Sequence, residues 1–253
     1  MPAALLARSV LLEARRGGLP WLAAGAIAIA AALAVFLSQV AITEGAALQA
    51  ALLGAVLRAC AVFLIAAQVA SSTLREINDK GLELMLSLPL SRSTHYLGRL
   101  AGFIACGIAL SLLFTFALLP WAPPAAAAFW GVSLAFELAL VAAAALFFAM
   151  TLSNLVAAIA ATAGLYLLAR AMPAVQSIAE RPLAEESWAG WFARQTVDVI
   201  ALVLPRLDAA TRTEWLLYDA PSASAYAGTL EALGIYAALI AAAGLVDFHR
   251  RSA

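Results

Sequence analysis

Six long apolar stretches, at 21–42, 48–69, 97–119, 126–150, 155–170 and 230–246, divide the chain, and most polar residues gather between them. A bilayer core of about 30 Å takes around 20 helical residues. All but one of the stretches meet that length closely; the fifth ends early at Arg170 and Pro173 and crosses only with little tilt to spare. None shows the roughly ten-residue alternation of an outer-membrane barrel strand. The pattern therefore predicts an all-α polytopic membrane protein with six transmembrane helices, forming a single transmembrane domain over 1–253. The first stretch follows Arg15 and Arg16. It exceeds the 7 to 15 apolar residues of a signal peptide, so it is expected to remain as an uncleaved first span.

Composition agrees with this and removes whole classes of function. Hydrophobic residues make up 65% of the chain and charged ones 12%, whereas a soluble domain is roughly one quarter charged. Fifteen acidic residues balance fifteen basic ones, which excludes a chain built to neutralise nucleic-acid phosphates; no nucleic-acid partner is expected. Cys60 and Cys106 lie inside apolar runs and read as small buried hydrophobes, not as a disulfide or a thiolate metal site. With six spans both termini share a side. That side carries nine basic residues, from Arg8 to Arg251, against five acidic ones, whereas on the opposite side acidic residues outnumber the five basic ones. Since cytoplasmic flanks retain arginine and lysine, both termini are expected to be cytoplasmic.

Candidate chemistry is sparse. The sole lysine, Lys80, is followed by Gly81, and no G-x-x-x-x-G-K-[ST] loop exists, so the chain is not expected to bind ATP in that way or to hydrolyse it. His95 and His249 lack a second ligand at metal spacing and read as surface residues near cytoplasmic ends. No catalytic group and no cofactor are assigned to the chain. Two charges stand out near the middle of apolar runs: Arg58 in the second and Glu137 in the fourth. Each costs several kcal/mol unpaired in the membrane. Their similar depth allows an ion pair within one subunit or across a dimer, and it serves either a polar pathway or packing.

Two hydrophilic stretches remain, one on each side. Residues 71–99 read SSTLREINDKGLELMLSLPLSRSTHYLGR and mix charge with a leucine-rich core. Arg75, Glu76, Asp79, Lys80 and Glu83 keep the i to i+4 spacing of a helix, with Glu76 before Lys80 in the favourable order. Gly81 can bend the segment, Pro89 stops it, and Ser91 or Ser93 can cap the helix that runs through Tyr96 into the third span. The expected shape is a broken amphipathic elbow at the cytoplasmic membrane face, suited to receiving force from another protein.

This stretch resembles the cytoplasmic loop of ABC-2-type transporter permeases. The likeness rests on Glu76, Gly81, Leu82, Glu83, Leu86, Leu88, Pro89, Ser91, Arg92, Tyr96, Leu97, Gly98 and Arg99. It covers about a tenth of the chain, and the six spans, the N-terminal lead and the placement of the loop extend it over nearly the whole length. Arg99 stands where the family often has lysine. The resemblance implies the membrane-spanning subunit of an exporter in a bacterial inner membrane. It would work as a homodimer with two copies of a separate ATPase that hold the ATP and Mg. It assigns ATPase coupling to Glu76, Lys80, Gly81, Glu83, Pro89, Ser91 and Arg92. Some relatives serve multicopper-enzyme or nitrous-oxide-reductase maturation. The alternative is accordingly a non-transporting scaffold that anchors an extracytoplasmic assembly complex.

Two further regions follow the family plan. Residues 1–20 resemble the amphipathic connecting helix on the cytoplasmic surface, although Arg8, Arg15 and Arg16 spread over about a third of the wheel with Leu12 between them, and periodicity alone does not predict it. Residues 171–228 are too long for a connector and should fold into interfacial helices before the last span. Trp188, Trp191 and Phe192 would sit at the membrane boundary, and Asp208 would cap a short helix carrying Trp215, Leu216 and Leu217. This region is expected to cover the pathway or to dock an extracytoplasmic partner. Membrane lipids are the remaining expected partner.

Overall fold

The computed structural model describes residues 2–40, 45–79, 91–179, 188–217 and 222–250. Among these, nearly all the chain is helical: α1 (Pro2–Arg16), α2 (Leu19–Val40), α3 (Gly45–Asn78), α4 (Arg92–Leu118), α5 (Pro124–Leu152), α6 (Leu155–Ala179), α7 (Trp188–Val203), α8 (Glu214–Leu217) and α9 (Ala223–Arg250), with a 3₁₀ turn at Leu207–Ala209. Six helices, α2 to α6 and α9, are long and apolar enough to cross a membrane. Their outward faces carry Trp21, Phe36, Phe116, Val156 and Leu239, all well exposed. An apolar surface of that extent belongs in lipid.

Local chemistry sets the ends of these helices. Ser91 caps α4 by accepting a hydrogen bond from the Thr94 N–H at 3.3 Å, as one of the two expected serines. Pro124 opens α5 at a first-turn position where its missing N–H has no cost. Ser153, with φ of 51°, closes α5 in the left-handed region, and the Asn154 side chain accepts from the Ala157 N–H at 3.0 Å to start α6. Gly18, with φ of 88°, makes the turn from α1 to α2 without the Cβ clash another residue would meet.

Helix α5 is the axis of the bundle. It packs against α3, α4, α6 and α9, and Trp130, Leu134, Leu138 and Leu146 are fully buried along it. Close approach to α4 depends on small residues, as lipid-embedded helices require: a Cβ on Gly107 would lie 3.1 Å from Leu138 Cβ, and one on Gly131 would strike the Thr115 side chain. Helix α1 does not trail away. It lies along α4, burying Val10 and Ala14, and a Cβ on Gly102 would come within 2.7 Å of Val10 Cβ. Residues 2–16 thus form a helix, one face of which docks on α4.

Three sequence expectations are corrected. The fifth span does not end at Arg170: α6 runs on through Pro173 to Ala179, so Arg170 belongs inside a helix and not to the outer loop. His95 is no surface residue; it is 4% exposed, wedged between Glu76 and the Phe248 ring. Asp208 lies in the 3₁₀ turn, not at the start of the helix carrying Trp215.

Candidate functional site

The buried charges converge on one place. Glu137 lies 13 residues into α5, about 20 Å from its start at 1.5 Å per residue, and its side chain is wholly buried. Oε1 accepts from the Tyr166 hydroxyl at 2.6 Å and from Arg170 Nη1 at 3.4 Å, and Oε2 accepts from the Thr211 hydroxyl. The ion-pair partner of Glu137 is therefore Arg170. Arg58, its expected partner, sits in the same cluster with Tyr166, Arg170 and Glu137 as electrostatic neighbours. Its direct bond, at 2.9 Å, is from Nη1 to the Thr211 carbonyl.

Thr211 is the hub. Its N–H donates to Ser133 Oγ at 3.0 Å, its hydroxyl to Glu137, and its carbonyl accepts from Arg58. It adopts φ of 44°, unusual for a β-branched residue, and is fully buried. Arg170 adds bonds to the Leu207 carbonyl at 3.0 Å and the Ala210 carbonyl at 3.4 Å. Side chains from α3, α5 and α6 thus grip the backbone of one loop, which dips from the end of α7 into the bundle. Apolar anchors reinforce it: Leu207, Trp215 and Leu216 are buried, and Leu216 packs so closely on α3 that a Cβ on Gly54 would lie 2.7 Å from it.

Such an arrangement answers the cost of charge in lipid. Irregular backbone at membrane depth survives only where its polar groups find partners in protein. Here the loop supplies carbonyls to two guanidinium groups and a hydroxyl to the carboxyl group, so each offsets the desolvation of the other. Thr211→Val keeps the shape and removes the hydroxyl. It is expected to lower stability by about 1 to 3 kcal/mol, read as a fall in the thermal midpoint of the purified protein, while Thr211→Ser retains most of it.

A second polar network lies at the opposite end of the bundle, beside α1. Arg99, 7% exposed, bridges to Glu76, which also lies 3.6 Å from His95 Nε2. Arg99 Nη2 donates to Ser72 Oγ at 3.1 Å, and that hydroxyl donates to Glu13 at 2.8 Å. One chain of contacts therefore joins α1, α3 and α4. The Tyr96 and Phe248 rings, with centroids 6.2 Å apart, bring in α9.

Of the residues assigned to coupling, Glu76, Ser91 and Arg92 are described. Glu76 and Ser91 flank the 80–90 segment, Ser91 as a cap and Glu76 in the bridge to Arg99, and Arg92 opens α4. Lys80, Gly81, Glu83 and Pro89 lie outside the described residues. Tyr166, Thr211, Ser133 and the inward role of Arg170 were missed. One signal was available for two of them: Tyr166 and Arg170 are four apart, on one face of a helix that is too short if it stops at Arg170. Thr211 carries no signal in the sequence.

Among the described residues, no group of three or more His, Cys, Asp or Glu side chains is placed to hold a metal ion. No family model matches the chain, and no curated protein matches it.

Proposed function

We propose that the chain is the membrane-spanning subunit of an ABC-2-type exporter, paired with a second copy and driven by a separately encoded ATPase that binds the segment 76–92. The resemblance of that segment to the family's coupling loop brings the reading forward. The observation that carries it is the Arg99–Glu76 bridge, with its extension through Ser72 to Glu13. Force applied to a loop moves a bundle only if the helices at its two ends respond together, and this bridge makes α3, α4 and α1 respond as one body.

Helix α3 then conveys the motion. Arg58 and Ser72 lie 14 residues apart on it, about 21 Å along the axis, so a single helix joins the bridge at one end to the Thr211 carbonyl at the other. Tilting α3 displaces Arg58 from Thr211 and loosens the loop over Glu137, exchanging one access for the other. In this reading the α1 end faces the cytoplasm. Arg99 and Glu76 neutralise one another and Arg170 is internal, yet the remaining flanking charges keep the basic excess on the α1 side.

The test is purification of the chain with a candidate ATPase, followed by nucleotide turnover with Gly81, Glu83 or Arg92 substituted. Turnover stimulated by the unaltered chain and reduced by these substitutions is the expected result. Stimulated turnover and intact binding in every variant would remove the coupling assignment.

A further inference from the structure

An apolar groove of 180 Å³ opens where α1 turns into α2 and both lie against α4; Leu11, Ala14, Leu19, Ala23, Leu110 and Leu113 line its walls, and Arg15 stands among its lining residues. We propose that it binds one acyl chain of an anionic phospholipid, whose phosphate is held by Arg15. The volume is below the 300 Å³ at which pockets enclose whole ligands, which suits a single chain whose remainder stays in the bilayer.

The charge complementarity is specific to this corner. Arg15 lies four residues before the span Leu19–Leu37, the depth of lipid headgroups. It is exposed and has no acidic partner among the described residues. The one acid on α1, Glu13, is turned the other way, accepting from Ser72. Arg15 is the one arginine lining the slot, and Arg16 and Arg8, both exposed on the same helix, add positive charge near it. Each such arginine strengthens attraction to an anionic surface by a factor of about five. The inference needs only the membrane location, not the transport reading.

The test uses the full chain in detergent with either phosphatidylglycerol or phosphatidylcholine of the same acyl composition, with retained lipids counted by native mass spectrometry. The unaltered chain is expected to hold one phosphatidylglycerol more firmly than phosphatidylcholine. Arg15→Ala should cut that preference about fivefold, and Ala109→Trp, which fills the slot from an exposed lining position, should remove the bound lipid of either kind. Glycerol phosphate without acyl chains should not displace it. Equal retention of the two lipids would overturn the proposal, as would displacement by glycerol phosphate, or two folded variants that both bind as the original does.

Discussion

Glu137→Ala is expected to cost about 3 to 5 kcal/mol, the usual penalty for breaking a buried ion pair by removing one partner, and to leave little monodisperse protein after extraction. The carboxyl group is the common acceptor for Tyr166, Arg170 and Thr211. Without it two guanidinium groups share the interior with no acid. Glu137→Gln keeps the acceptor oxygen and the volume, and should fall between alanine and the original. Glu137→Leu combined with Arg170→Leu should be less harmful than the two single changes added together, because the double variant removes both halves of the pair. Yield and thermal midpoint of the unaltered chain, the alanine and glutamine variants, the two single leucine variants and the double variant measure this. If Glu137→Ala melts as the unaltered chain does, the cluster does not hold the loop, and the gating role given to Thr211 goes with it.

The sequence disclosed the helices more readily than the cluster, for a physical reason. Apolar length is a local property: the stretch 126–150 already implied the helix that became Pro124–Leu152. The burial of Glu137 was also readable, since a charge in the middle of such a stretch must find a partner. The identity of that partner was not. Arg58 matched Glu137 in depth along the chain, but depth does not fix which way a side chain faces. Arg170, taken as a terminator, proved to be the ion-pair partner because Pro173 did not end α6. A proline whose lost hydrogen bond is tolerated within a membrane helix gives no warning in sequence. Thr211 was least visible of all: its role comes from a backbone turn 74 positions from Glu137 and 153 from Arg58, and nothing local records such separations. The same holds at the other end, where Glu76 faces Arg99 and His95 on the next helix, a pairing that no spacing within one helix records.

The bridge at that end carries the second large effect. Replacing Glu76 by glutamine and Arg99 by methionine together removes both charges while keeping most of the volume, and such neutral exchanges of buried pairs are commonly tolerated. The protein should therefore fold, and on the proposed function binding of the ATPase should largely persist, since Glu76 is the one residue of the 76–92 segment that changes and its carboxyl group is turned to Arg99. Coupling should fall by roughly 5 to 150-fold, the span of typical coupling energies between distant sites, because motion of the loop no longer reaches α3 and α4 as a unit. Reversing the charges, Glu76→Arg with Arg99→Glu, restores a bridge of opposite sense and should recover part of the loss, which a merely local packing defect would not permit. Nucleotide turnover in the reconstituted complex separates the outcomes, with binding of the ATPase measured alongside. A folded neutral pair that stimulates turnover as fully as the original would show that the helices move together without the bridge. The proposed coupling would then lose the observation that carries it, and the apolar contacts of α1 and α9 with α4, around Val10 and Phe248, would hold these helices together.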